Sequence, residues 1–252
     1  MSEQTSDFNY DAIPEGYYDR IARGGNSVRR AWHLQKFERV LDCLPDRCQS
    51  ILDVGCFAGT FLSELAPERF PLQVGVDVLP KQVEYANANY GTDFRKFFYV
   101  PTVAALGEVP GSFDCITLIE VIEHLTVAEI QTLLERLYQK LCVGGKLVLS
   151  TPNYTSSWPV LEVLVNRLSS VSYEEQHLTK FTYFNVEKRL KEISPIIGNG
   201  LKVDFKTTTH FVSPFIAPLS LELSRSVSRL YPHNKWHFPF GNLVLVRLEK
   251  VS

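Results

Sequence analysis

Ile51-Leu-Asp-Val-Gly-Cys-Phe-Ala-Gly-Thr60 is the stretch that decides the fold. The residues up to Val54 read as a buried strand, two glycines turn the chain, and a helix begins near Thr60. Gly55 and Gly59 carry no Cβ, so a ligand can approach the backbone there. In open α/β sheets ligands gather at the carboxyl ends of strands, near the topological switch point. The next strand candidate ends in Val76-Asp77, and a carboxylate there can accept both hydroxyls of a ribose. A nicotinamide fingerprint requires Gly-x-Gly-x-x-Gly. Here Cys56-Phe57-Ala58 separates the two glycines, so that cradle is incomplete. An ordinary strand-to-helix turn with structural glycines is the plain alternative.

Working outward, β-rich runs occur at Ser50–Val54, Leu72–Asp77, Arg95–Val100, Phe113–Ile119 and Gly145–Ser150. Helical stretches lie between them at Gly59–Ala66, Pro80–Asn89, Val103–Leu106 and Thr126–Leu141. The last carries Ile130, Leu133, Leu134, Leu137 and Leu141 at helical spacing. This alternation predicts a doubly wound α/β fold with a parallel sheet covered on both faces. Tyr17–Leu44 reads as a single helical cap and Phe184–Ile193 as another helix. Leu201–Thr208 and Asn242–Glu249 read as late strands.

The 252 residues carry 26 Lys+Arg against 28 Asp+Glu, a net charge of −2 that argues against nucleic-acid binding through bulk charge. With 45% hydrophobic residues the chain can bury a sizeable core, which excludes a disordered tail or a disulfide-dense miniature. The N-terminus lacks a basic region followed by an apolar run, and no apolar stretch reaches spanning length. Cys43, Cys48, Cys56, Cys115 and Cys142 match no paired zinc spacing and lie mostly in apolar runs. A reduced, cytoplasmic protein is the expectation.

Further landmarks follow in order. Ser112-Phe-Asp-Cys-Ile-Thr117 opens the fourth strand, and Ile119-Glu-Val-Ile-Glu-His-Leu125 follows it. Leu141-Cys-Val-Gly-Gly145 enters the fifth, and His177-Leu-Thr-Lys-Phe181 comes later. Together with Asp53-x-Gly55-x-x-x-Gly59, Asp77 and the early Arg30-Ala-Trp-His-Leu-Gln-Lys-Phe37, they resemble class I S-adenosylmethionine-dependent methyltransferases. The resemblance is to the subgroup of ubiquinone-pathway and sugar or natural-product O-methyltransferases. Two departures stand out. Thr102 occupies the position where the family often has an acid for the adenine amino group, and Val143 replaces the usual proline before Gly144.

The resemblance implies a seven-stranded Rossmann-like sheet in a single domain over 1–252. That domain would comprise an N-terminal helical cap (1–49), a cofactor-binding core (50–152), substrate lids at 153–182 and 211–240, and a last strand at 241–249. It implies S-adenosylmethionine as cofactor. Gly55, Cys56, Phe57 and Gly59 would hold the methionine portion, with Asp53 fixing the loop or reaching the amino group. Asp77 would bind the ribose, Val78 and Gln82 would flank the adenosine, and Thr102 and Val103 would line the adenine pocket. Glu120 would lie near the methionine portion.

Glu120, Glu123 and His124 share a helical face if their segment is helical. With His177 they would place two carboxylates and two imidazoles beside the methyl group. A similar set holds a divalent metal in small-RNA 2′-O-methyltransferases. Here it implies either metal binding or a histidine base, with Glu123, His124 and His177 as catalytic candidates. The plain alternative makes His124 a capping group and Glu123 a solvated acid at a helix start.

The acceptor is expected to be a small molecule. The segments Tyr154–Tyr183 and Phe211–Phe240 supply Tyr154, Trp158, Tyr173, Phe181, Phe211, Phe215, Tyr231, Trp236, Phe238 and Phe240. These aromatics would otherwise form the insertions' own core. Phe211–Leu230, apolar with Arg225 and Arg229, could instead touch a membrane or a lipid-linked saccharide. An RNA 2′-O-methyltransferase and a non-catalytic cofactor-binding protein are the rival readings.

Overall fold

A computed structural model describes residues 13–24, 27–159, 161, 177–230 and 238–252. Two helices precede the sheet, α1 (Tyr17–Gly24) and α2 (Ser27–Cys43). The expected single cap helix is therefore broken. The first helix ends at Gly24, a residue type that costs about 1 kcal/mol of helix stability relative to alanine.

The core alternates β1 (Ser50–Val54), α3 (Thr60–Ser63), β2 (Leu72–Asp77), α4 (Pro80–Tyr90), β3 (Arg95–Tyr99), β4 (Phe113–Ile119), α5 (Val127–Lys140) and β5 (Leu141–Pro152). Short 3-10 turns at Val103–Glu108 and Ile122–His124 flank β4. After β5 come α6 (Val186–Ile193), α7 (Ile196–Asn199), β6 (Leu201–Thr209), α8 (Ser213–Ile216), α9 (Leu221–Leu230) and β7 (Leu243–Lys250).

The seven strands form one sheet in the order β3-β2-β1-β4-β5-β7-β6. Strands β1 to β5 are parallel, as the strand–helix alternation predicts. β7 runs antiparallel to both β5 and β6, making the sheet mixed. β5 starts four residues earlier than the apolar run suggests. Its pairing with β4 slips between Phe113 and Cys115, so that the Gly144-Gly145 segment bulges out of register.

Both faces of the sheet are covered. On one, Leu52, Ile116, Leu118, Leu147 and Leu149 meet Ile130, Leu133, Leu134 and Leu137 of α5. On the other, Ile51, Val148 and Leu245 meet Val40, Phe61, Leu62 and Phe97. Each of the α5 side chains is fully buried, worth about 1.5–3 kcal/mol apiece. Thr126 starts α5 with a capping box: its Oγ1 accepts the Glu129 N–H at 3.3 Å, and its own N–H donates to the Glu129 carboxylate at 2.8 Å.

The structure sets Cys48 beside Cys115, Cα atoms 6.8 Å apart, a proximity that the expectation of five separate thiols did not include. The partners are 67 residues apart in sequence, so no local spacing announces them. Helix α9 inverts the usual pattern. Ser224 and Ser228 are buried, while Leu223 and Leu230 face outward. No helix among the described residues is long and apolar enough to cross a membrane.

Candidate active site

The sheet order reverses direction between β1 and β4, and a cavity of about 430 Å³ opens at the carboxyl ends of these strands. The loops after β1, β2, β3 and β4 form its floor, and α1 and α2 cover it with Tyr18, Arg29, Trp32, His33 and Lys36.

The β1 loop is held from below. Asp77 is buried, and its two carboxylate oxygens accept the N–H groups of Phe57 at 2.7 Å and Leu79 at 2.9 Å. Burial nevertheless leaves its pKa above the usual carboxylate value, against those two donors. Phe57 adopts a left-handed φ of 47°, which the Asp77 bond helps to fix. Gly55 has φ 77°, and a Cβ there would meet Val121 Cγ2 at 2.5 Å. Asp53 accepts the Thr117 hydroxyl at 2.6 Å, and burial pushes its pKa up to about 7 despite that bond.

Among the proposed cofactor residues, Asp53, Gly55, Cys56, Phe57, Asp77, Val78, Thr102, Val103 and Glu120 line the cavity. Gly59 and Gln82 are placed elsewhere. The space a Gly59 Cβ would need is taken by the Phe97 ring at 2.7 Å, so this glycine serves helix–sheet packing. Gln82 is buried under the N-terminal segment, accepting the Gly16 N–H at 3.0 Å and donating to Pro14 at 3.2 Å. It fastens α1 instead of facing a nucleoside.

Glu123, His124 and His177 converge, with one ligand-type atom from each lying within 4.8 Å of the others. The two imidazole rings are 5.1 Å apart, and Tyr154 Oη lies 2.8 Å from His177 Nδ1. Thr179 ties the two segments together. Its N–H donates to the Glu123 carbonyl at 3.1 Å and its hydroxyl to the Leu125 carbonyl at 2.8 Å. Among the described residues neither carboxylate oxygen of Glu123 makes a hydrogen bond of ordinary geometry, although the nearby Thr151 hydroxyl acts to lower its pKa. Its pKa is raised well above the usual value, first by burial and then by Glu120, so the solvated-acid alternative does not describe it.

Glu120 does not join this cluster. Its carboxylate forms an ion pair with Lys36 and accepts the Trp32 indole N–H at 3.4 Å. Burial opposes its ionisation, yet Lys36 brings its pKa down to about 2. Glu120 sits at a left-handed φ of 56°, with its N–H bonded to Ser150. His33, beside the same pair, has its pKa lowered to about 3 by burial and then by Lys36, and so is neutral.

Arg29 falls outside the motifs, and Trp32, Lys36, Tyr154 and Thr179 fall within motifs or lids that assign them no place at the site. Arg29, Trp32, His33 and Lys36 stand at i, i+3, i+4 and i+7, and that spacing is a signal for one helix face. The lid segments are only partly described: Tyr173, Tyr231 and Trp236 lie outside the described residues. Phe238 meets Phe211 and Phe240 edge to face, with Phe211 and Phe240 more than 40% exposed.

The Glu123–His124–His177 cluster has donor chemistry that suits a divalent ion. The fold and the cavity together define an open α/β protein with a buried carboxylate, Asp77, at its switch point. A family model described as a methyltransferase domain matches residues 27–193, and the chain belongs to that family.

Among curated relatives, the ubiquinone biosynthesis O-methyltransferase of Rickettsia akari is 30% identical over 71% of this chain and 74% of its own length. That of Idiomarina loihiensis is 32% identical over 44% of this chain. The chain spans 45% of the Idiomarina protein and 65% of the Rickettsia prowazekii one, about half to two thirds of the curated relatives it matches first. A solved magnesium protoporphyrin IX methyltransferase from Synechocystis PCC 6803 shares the fold, with a TM-score of 0.59, 16% identity and coverage of 95% and 97% of the two chains.

Proposed function

We propose that the chain is one methyltransferase domain that moves a methyl group from S-adenosylmethionine to an oxygen of a small molecule. The observation that supports this reading is one cavity lined both by Asp77 and by the Glu123–His124–His177 cluster. The O-methyltransferase relatives and the family membership support it.

In this reading Asp77 takes the ribose hydroxyls with the lone pairs left over from its two backbone bonds. Thr102 and Val103 flank the adenine, and Gly55 leaves room for the methionine chain. The acceptor oxygen attacks the methyl carbon as the carbon–sulfur bond breaks. The bonding pair goes to sulfur, which leaves as the neutral thioether. The hydroxyl proton passes to His124 or His177, and alignment of oxygen, carbon and sulfur supplies much of the rate. In the alternative reading Glu123, His124 and His177 would hold a divalent ion, with the histidines as ligands in place of a base, and the ion would lower the pKa of the acceptor hydroxyl.

Calorimetry with S-adenosylmethionine, S-adenosylhomocysteine and NAD tests the cofactor, and an acceptor panel read by S-adenosylhomocysteine release tests turnover. Binding of the first two ligands and not NAD, with product formed on a hydroxylated acceptor, is expected. NAD binding would overturn the reading, and full turnover by both His124→Ala and His177→Ala would end the catalytic assignment.

A further inference from the structure

Helix α1 covers one side of the cavity. Tyr18 and Ile21 line it, and the Tyr18 ring stands 4.8 Å from that of Phe57 on the β1 loop and 5.3 Å from His33. Among the described residues, no α1 side chain joins the apolar layers on either face of the sheet. The helix has eight residues, and isolated helices of fewer than about a dozen are marginal in water. What keeps α1 in place must therefore come largely from polar contacts.

Those contacts converge on Asp19. This buried carboxylate accepts the hydroxyls of Thr60 at 3.0 Å, Tyr85 at 3.0 Å and Tyr90 at 2.7 Å, and the Arg23 Nε–H at 3.2 Å. One side chain thus ties α1 to the first residue of α3 and to two positions on α4. Burial first, and then Asp19, raise the pKa of both tyrosines, Tyr90 to about 12, so each keeps the proton it donates. Arg23 extends the fastening to Ser63 Oγ at 2.9 Å. Asp19, Tyr85 and Tyr90 all stand outside the cavity lining, so none of them reaches a ligand there directly.

We propose that α1 is the gate through which the cofactor enters and leaves, and that Asp19 is the positioning residue that latches it. The hydroxyl cluster on Asp19 must open before Tyr18 can lift away from Phe57. Segments with few buried apolar contacts are the ones that open locally, and the latch sets how often this one does. A bound cofactor packs beneath Tyr18 and holds the gate shut during methyl transfer. The inference rests on the methyl-transfer reading for the identity of the ligand; the latch itself is measured without one.

Stopped-flow fluorescence of the full chain, with Trp32 in the cavity wall as reporter, reads S-adenosylhomocysteine association and dissociation. Asp19→Ala and the volume-conserving double variant Tyr85→Phe/Tyr90→Phe should each release the ligand at least tenfold faster, and neither should capture it more slowly. A site merely damaged by substitution would lose ligand faster but also capture it more slowly. Hydrogen exchange without ligand reads the latch: amides of residues 17–24 should exchange at least tenfold faster in both variants, with α5 unchanged.

Where S-adenosylhomocysteine binds the parent, release within twofold of the parent rate in both variants, slower capture in both, or unchanged exchange of α1 would overturn the inference. A parent chain that binds no S-adenosylhomocysteine, yet shows the exchange difference, would instead strike the methyl-transfer reading and leave the latch standing.

Discussion

Replacing Asp77 by Asn tests the cofactor end of the cavity with little change in volume. Both oxygens of Asp77 already accept backbone N–H groups, at 2.7 Å from Phe57 and 2.9 Å from Leu79. An asparagine keeps one acceptor and turns an NH2 toward the other donor. Hydrogen bonds to a charged acceptor contribute about 1.5–3 kcal/mol each. Losing one ribose bond and weakening the other to a neutral contact sums to about 2–4 kcal/mol, or roughly 30- to 1000-fold in affinity.

Calorimetry with S-adenosylhomocysteine reads this loss. Its 2′-deoxy analogue separates the ribose contact from damage to the loop, because the two defects should not add. The analogue should bind the parent chain weakly and lose little further in Asp77→Asn. Affinity within threefold of the parent for Asp77→Asn, with the fold intact, would refute the assignment.

Other consequences follow from the same geometry. Lys36→Met alone should cost about 3–5 kcal/mol by stranding Glu120, visible in a denaturant midpoint, and adding Glu120→Gln should recover most of it. Glu123 has a raised pKa in the folded state, so its contribution to stability is present below the unfolded-state value and is lost as pH rises toward the folded one. Glu123→Gln should therefore leave stability at pH 4 nearly unchanged and raise it at pH 8, by up to about 1.4 kcal/mol per pH unit of the window; equal effects at both pH values would contradict this. Ser224, buried between Gln35 and the Ser213 carbonyl, should not tolerate leucine: about 1–3 kcal/mol is expected for Ser224→Leu, whereas Leu223→Ser should be near neutral by thermal melts.

The stretch from Ile51 to Thr60 carried the fold because its turn, strand and helix signals are local. The apolar runs of β1, β2 and β4 likewise placed the strands within a residue or so. Three things were not legible. The antiparallel insertion of β7 between β5 and β6 is a matter of strand order, which apolar spacing does not encode. The diversion of Glu120 depends on Lys36, which lies 84 residues earlier, and a carboxylate motif says nothing about a distant cation. Gln82 was misplaced because its segment starts a helix beside Asp77 in sequence, yet its amide serves Gly16 and Pro14 of a chain segment 68 residues away. Long-range polar pairing was the blind spot. The Glu123–His124–His177 cluster, by contrast, was foreshadowed by residue type, and Thr179 explains how the two segments meet.

The central claim is that this one cavity presents a methyl group to the Glu123–His124–His177 cluster. A structure of the chain with S-adenosylmethionine bound tests it most directly. The account predicts the ribose hydroxyls on Asp77, the adenine beside Thr102 and Val103, and the sulfonium methyl facing His124 and His177. An adenosyl group anchored away from Asp77, or a methyl pointing away from both histidines, would contradict it.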